Sequence, residues 1–175
     1  SKCVSSRHRR ADMTIGVLSD SHDNLQTLRL AVEVFSKNGV EALIHAGDFC
    51  SPFTLPEFKP LADRGLKMYA VFGNNDGDRA LLVKRAGDFC SFADGARSFE
   101  LGGKKIVVMH YPDLSRDMFS LGTYDLVIYG HDHKVKVEGG QKKLLNPGTS
   151  SGYLADAATV ALVDTATMEV EIVRL

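Results

Sequence analysis

The sequence predicts one α/β domain with a mixed sheet and helices on its outer faces. Three observations lead there. The first half alternates short apolar runs with stretches of helical periodicity, and the second half is a series of short runs punctuated by Gly-Gly turns. Polar residues of ligand type stand at the ends of the apolar runs. At 175 residues, with 44% hydrophobic and 25% charged side chains, the chain has the balance of a soluble globular protein with a real core.

Residues 14–18 are an apolar run ending at Ser19 and Asp20. Asn24 is placed to cap a helix carrying Leu25, Leu28, Val32 and Phe35 at helical spacing, and Asn38 and Gly39 stop it. A second strand over 42–46 ends at Gly47 and Asp48, and a proline-punctuated helical segment follows over 51–63. The third strand, 67–72, ends at Gly73, Asn74, Asn75 and Asp76, after which 78–86 is helical through Leu81, Leu82 and Val83.

In the second half, 98–101 and 105–109 flank Gly102-Gly103 as a hairpin whose second arm ends at His110. A short helix over 115–121 precedes 126–128, a run without alternation that suits a strand buried on both faces. Gly130 lets the backbone turn where His131 and His133 emerge. Runs at 134–138, 142–145, 159–163 and 170–173 read as consecutive strands joined by tight turns, which makes the late half antiparallel. No repeat, low-complexity linker or domain boundary interrupts 13–175, which reads as a single domain.

A net charge of -1 and a pI near 6.6 exclude a broad electrostatic grip on nucleic acid or on an anionic membrane. No apolar run approaches the roughly 20 residues that span a bilayer. Cys3, Cys50 and Cys90 are odd in number and form no CxxC, so they read as reduced thiols of a cytoplasmic chain, with neither a disulfide framework nor a thiolate zinc site. Residues 1–12 carry basic side chains without the apolar stretch of a signal peptide; Met13 reads as a natural start and 1–12 as a leader or expression remnant.

The chemistry lies at five strand ends: Asp20 with His22, Asp48, Asn74, His110, and His131 with His133. A lone Asp after a strand is ordinarily a helix cap or turn former, and two histidines can fall together in a polar turn. The joint pattern is another matter, because few folds need it for stability. His8 lies in the leader, and His45, one residue inside a strand, reads as structural or as a support for the ligands. Oxygen and imidazole donors without thiolate suit Mn²⁺, which heads the expectation, or Ni²⁺, Fe²⁺, Co²⁺, Zn²⁺ or Mg²⁺. Seven ligands exceed what one catalytic ion takes. They suit two divalent ions about 3.5 to 4 Å apart with one carboxylate between them, the arrangement that clamps the attacking and leaving oxygens of a phosphoryl displacement. Two dications against ionised Asp20 and Asp48 leave about +2, or about +1 with a bridging hydroxide, which attracts an anionic phosphate ester.

Taken in order, Asp-x-His at 20–22, Gly-Asp at 47–48, Gly-Asn-x-Asp at 73–76, His110 and Gly-His-x-His at 130–133 resemble the calcineurin-like metallophosphoesterases. The likeness runs from Met13 to the C-terminus, and Asn146-Pro147-Gly148 resembles the closing signature of their small prokaryotic single-domain phosphodiesterases. The resemblance implies a four-layer αββα sandwich of two mixed sheets flanked by helices. It also implies roles: Asp20, His22, Asp48 and His133 for the first metal, Asp48, Asn74, His110 and His131 for the second, with Asp48 as the bridge.

Two departures from the family pattern matter. Where many members carry a histidine able to protonate the leaving oxygen, this chain has Asn75, an amide that can donate a hydrogen bond but cannot act as an acid. Asp76 and Tyr111 are then the alternative proton donors. Where relatives often read His-Gly-His, this chain reads His110-Tyr111-Pro112, so a supplementary substrate contact is either missing or replaced by Tyr111. The implied function is hydrolysis of small phosphate esters, diesters first, by in-line attack of a metal-bridging hydroxide. A phosphomonoesterase, protein phosphatase or DNA nuclease on the same site, and a non-catalytic scaffold resembling a retromer subunit, are the alternatives. Against the scaffold stand seven chemically competent ligand positions; against the larger substrates stands the lack of room for groove-building insertions. The implied partner is a small phosphate ester, not a membrane or nucleic acid, and a homo-oligomer is compatible with the sequence.

Overall fold

The computed structural model describes residues 12–175, so the expectation for residues 1–12 lies, Asp12 apart, outside the described residues. In chain order the first elements are β1 (Thr14–Leu18), α1 (Leu25–Lys37), β2 (Ala42–His45), a 3-10 helix (Pro52–Phe58) running into α2 (Lys59–Ala62), β3 (Lys67–Val71), α3 (Arg79–Ala86) and β4 (Cys90–Ala93). There follow β5 (Arg97–Leu101), β6 (Lys104–Val108), α4 (Ser115–Ser120), β7 (Leu126–Ile128), β8 (Val135–Glu138), β9 (Lys143–Pro147), β10 (Thr159–Asp164) and β11 (Val170–Arg174).

The strands form two sheets, one in the order β11-β10-β1-β2-β3-β4 and one in the order β5-β6-β7-β9-β8. Strands β1 to β4 are parallel, as are β6, β7 and β9, while β10, β11, β5 and β8 pair antiparallel to their neighbours. The alternation of side chains along each strand builds the layers. Ile15, Val17, Ile44, Ala46 and Val71 of the larger sheet meet Ile106, Val108, Leu126, Ile128 and Leu145 of the smaller one. On the outer face of the larger sheet, Leu43, Met68 and Ala70 pack against Leu28, Ala31, Val32 and Phe35 of α1 and against Leu55, Phe58 and Leu61. The smaller sheet is covered by α4, whose Met118 and Phe119 lie against Val107, Val127 and Leu144. The result is the four-layer sandwich that the resemblance implies.

Local chemistry explains most element boundaries. Asn24 Oδ1 accepts the N–H of Thr27 at 3.3 Å and starts α1, whose buried stripe is Leu28, Ala31, Val32 and Phe35. The whole of β7 is buried: Val127 faces α4 while its neighbours face the other sheet, which is why the run does not alternate.

Three elements go beyond or against the sequence reading. The proline-punctuated helical segment expected over 51–63 is present, as a 3-10 helix followed by a single α turn, because Pro56 and Pro60 remove N–H donors and break an α-helical ladder. Strand β4, four residues at the sheet edge, carries too short a pattern to be read from sequence. The late strands are not one antiparallel series joined by tight turns, since β7 is parallel to both its neighbours and β10 crosses to the other sheet to pair with β1. Period-2 patterning fixes the face a side chain points to, not the strand that it pairs with.

Candidate metal centre

Because β1, β2 and β3 run parallel in one sheet and β6 and β7 in the other, their C-terminal ends open onto one rim. Five of the seven residues expected as ligands have left-handed backbones there: Asp20 (φ 54°), His22 (43°), Asp48 (62°), His131 (73°) and His133 (60°). Such a conformation costs a non-glycine residue about 1–3 kcal/mol and persists only where the surroundings enforce it. The enforcing bonds are present. Asp20 N–H donates to Gly47 O (2.9 Å), His22 N–H to Asp48 O (3.1 Å) and His131 N–H to Asp20 Oδ2 (3.0 Å). Two glycines are required by close approach: a Cβ on Gly73 would stand 2.1 Å from Asp48 Oδ1, and one on Gly130 would stand 2.0 Å from Ser19 Oγ.

The side chains gather into two clusters. In the first, Asp20 Oδ1 lies 3.3 Å from His133 Nε2 and 3.7 Å from His22 Nε2, and the two Nε2 atoms are 3.1 Å apart. In the second, Asn74 Oδ1 lies 3.0 Å from His110 Nε2 and 3.1 Å from His131 Nδ1. Asp48 Oδ2 stands between them, 3.5 Å from His22 Nε2 and 3.5 Å from His110 Nε2. All seven residues singled out as ligands are thus brought together.

The arrangement fits divalent cations on its own chemistry. Imidazole nitrogens and carboxylate oxygens converge, and the buried Asp20 Oδ1 accepts no aligned hydrogen bond among the described residues. His110 Nδ1 donates to Ala46 O (2.7 Å) and His133 Nδ1 to Tyr153 O (2.7 Å); a carbonyl can only accept, so Nε2 of each neutral ring keeps its lone pair for the site. His22 Nδ1 faces Cys50 Sγ at 3.3 Å. That thiol stays protonated, since burial and the surrounding carboxylates push its pKa up to about 12.

Burial works to raise the pKa of Asp20, but His133, His22 and Ser19 outweigh it and hold the carboxyl well below the usual range. Asp48 is likewise lowered, burial being overcome by His110 and by the side-chain and backbone amides of Asn75. Both carboxylates are therefore ionised and ready for a cation.

The two residues expected to serve proton transfer or leaving-group contact both lie beside Asp48. Asp76 Oδ2 accepts the N–H of Gly73 (2.6 Å) and of Asp48 (3.1 Å), and its Oδ1 that of Cys50 (2.8 Å), while burial works to raise its pKa. These three backbone bonds tie together the loops that carry Asp48 and Asn74. Asn75 turns inward, its N–H on Asp48 Oδ1 (2.8 Å) and its Nδ2 on Asp48 Oδ2 (2.8 Å). Tyr111 stands edge-on to His110 and His131, with ring centroids 5.1 and 5.0 Å away.

His45 is neutral and structural. Its Nδ1 accepts the N–H of Gly47 (3.1 Å), leaving Nε2 to donate to Ser21 Oγ (3.1 Å), and its ring stacks on Phe49 at 3.6 Å. Complete burial drops its pKa to about 3. Sequence reasoning missed Asp132, whose Oδ1 accepts from Asn146 Nδ2 (2.7 Å) and from Lys134 N–H (3.0 Å), tying the His-x-His loop to β9. Its position between the two histidines was the available signal.

A two-sheet sandwich with carboxylates and imidazoles on the loops of one rim defines the metallophosphoesterase class. Within that class the chain belongs to the calcineurin-like phosphoesterase superfamily, whose domain model matches residues 13–168. A phosphodiesterase of Methanocaldococcus jannaschii is 37% identical over 158 residues, covering 87% of this chain and 93% of that protein. A solved archaeal phosphodiesterase superposes with a TM-score of 0.84 at 36% identity, over 93% of this chain and 100% of its own. Vacuolar Protein Sorting 29 of Cryptosporidium parvum shares the fold alone, with a TM-score of 0.62 at 17% identity over 94% of this chain and 98% of its own.

Proposed function

We propose that the chain hydrolyses small phosphodiesters at a centre of two divalent cations, held by Asp20, His22, Asp48 and His133 on one side and by Asp48, Asn74, His110 and His131 on the other. The observation that carries this reading is Asp48, whose Oδ2 is equidistant, at 3.5 Å, from an imidazole nitrogen of each cluster, as a bridging carboxylate must be. Cations so held, with Mn²⁺ first among them, supply Lewis acidity at the phosphoryl oxygens and a nucleophilic water at neutral pH.

The chain's own residues prepare the rest. Backbone carbonyls fix the tautomers of His110 and His133, and Asp76 fixes the loops that carry Asp48 and Asn74. Asn74, a neutral amide, preserves a net positive field where a third carboxylate would cancel it, and that field attracts an anionic diester. The phosphodiesterase at 37% identity and the solved archaeal phosphodiesterase at 36% support a diester as the substrate class. The free thiols of Cys50 and Cys90 suit a cytoplasmic setting, and among the described residues no helix is long and apolar enough to cross a membrane.

The test is metal content and turnover on one sample. Protein loaded with Mn²⁺ or Ni²⁺ is expected to carry close to two ions per chain, to cleave bis(p-nitrophenyl) phosphate and to lose that activity to a chelator. Less than one ion per chain at saturating metal, with no ester cleaved, would put the scaffold reading in its place.

A further inference from the structure

We infer that the cavity beside His110 seats an uncharged aromatic arm of the phosphate ester, an inference that rests on the phosphodiesterase reading and adds the substrate class within it. The cavity, about 310 Å³, lies between the loop after β3 and the segment after β6, and His110 and Gly73 line it. It therefore adjoins the second ligand cluster. Its apolar wall is Phe72, Met109, Tyr111 and Leu114. Tyr111 is 47% and Leu114 57% exposed, so two large apolar side chains stand open to solvent beside the place where phosphorus must sit. The edge-on contacts of Tyr111 with His110 and His131 hold that wall against the ligands themselves, so an arm leaving the second cluster meets the cavity at once.

Arg79 stacks on that wall and adds a guanidinium to the lining. Arg79 lies 4.8 Å over the Phe72 ring, and its Nη1 donates to Asp94 Oδ1 (3.0 Å) and its Nη2 to Gly73 O (3.2 Å). Its charge is thereby countered, and Asp113 adds a second carboxylate to the lining. With Arg79 against Asp94 and Asp113 the lining side chains carry one net negative charge, His110 being counted neutral. A second anionic group on the arm, as in a nucleic-acid strand, is opposed, whereas a flat neutral ring gains apolar contact. The volume is near the lower end of small-ligand pockets, about 300 Å³, which suits one aryl ring or nucleobase.

The test uses phenylphosphonate and methylphosphonate, which share the phosphoryl head and have no leaving group, with the metal-loaded protein. Calorimetry and competition against diester hydrolysis are expected to show the phenyl compound binding about tenfold more tightly. Leu114→Ser, which removes a wall, and Ala96→Phe, which fills the cavity, should each bring that ratio to within about threefold. A ratio near one in the unmodified protein, with diester hydrolysis intact, would overturn the subsite and leave the phosphodiesterase reading standing. A large ratio that neither variant changes would also overturn it, because the ring would then sit elsewhere. Failure to bind either phosphonate together with failure to cleave any ester would sink the phosphodiesterase reading and this one with it.

Discussion

Asp48 accepts two hydrogen bonds from Asn75 and faces an imidazole from each ligand cluster, so its replacement acts on both clusters at once. Asp48→Asn is expected to lower bound metal as well as rate, whereas Asn75→Ala keeps the backbone N–H on Asp48 Oδ1 and removes only the side-chain donor, so it should keep more of its metal and more of its rate than the Asp48 variant. Metal analysis beside kinetics separates the two; unchanged occupancy in the Asp48 variant would remove the bridge. Asp76→Asn should lower both thermal stability and metal occupancy, because an amide nitrogen cannot accept the backbone N–H groups that the carboxylate accepts. A loss confined to esters with basic leaving groups would instead restore Asp76 as an acid. His45 supplies the pH dependence. Its folded pKa of about 3 lies below the ordinary value of 6.5, so the stability that it contributes is complete above about pH 6.5 and drains away as pH falls toward 3. Urea midpoints of metal-free protein across that window should fall with a slope about one proton shallower in His45→Gln.

Among the elements, the loops after β2 and β3 leave least freedom. A side chain at Gly73 would meet the Asp48 carboxylate, so Gly73→Ala must displace that carboxylate. A shift of about 1 Å in such a group costs on the order of 10²-fold in rate. Crystallography of the variant with kinetics would show both; full activity would mean that the loop yields. Helix α1 is fixed differently, by its buried stripe against the larger sheet. Phe35, with no exposed surface, should cost about 3–5 kcal/mol on replacement by Ala, read from urea unfolding, while the position of the ligands stays unchanged in the crystal.

At the scale of the whole molecule, each sheet contributes candidate ligands to one rim. Asp76 is bound to backbone, Asn75 is an amide and Tyr111 lies edge-on to two histidines. Charge on a departing oxygen must then be met by cations, water or neutral donors, which serve phenolates better than alkoxides. Across aryl and alkyl diesters at fixed pH and metal, kcat/KM should fall steeply as leaving-group pKa rises. A flat plot with chemistry rate-limiting would mean that Asp76 or Tyr111 donates the proton.

The sequence by itself determined which residues stand at the strand ends of the rim and most of the elements, because both are local. Asp20 with His22, the Gly-Asp at Asp48 and the pair His131 and His133 each sit where an apolar run stops, and the glycines beside Asp48, Asn74 and His131 mark the turns and close approaches. Burial of the run at Leu126 and capping by Asn24 were legible for the same reason: the responsible groups lie within a few residues of one another. Only the tertiary structure decided that β10 crosses to pair with β1 and that β7 runs parallel to both its neighbours, since period-2 alternation is the same for any partner. It also decided the direction of Asp76 and Asn75. Their motif places both beside the metal ligands, but the hydrogen bonds that turn them onto the backbone around Asp48 and onto its carboxylate join atoms from two different loops, and no local pattern encodes that meeting.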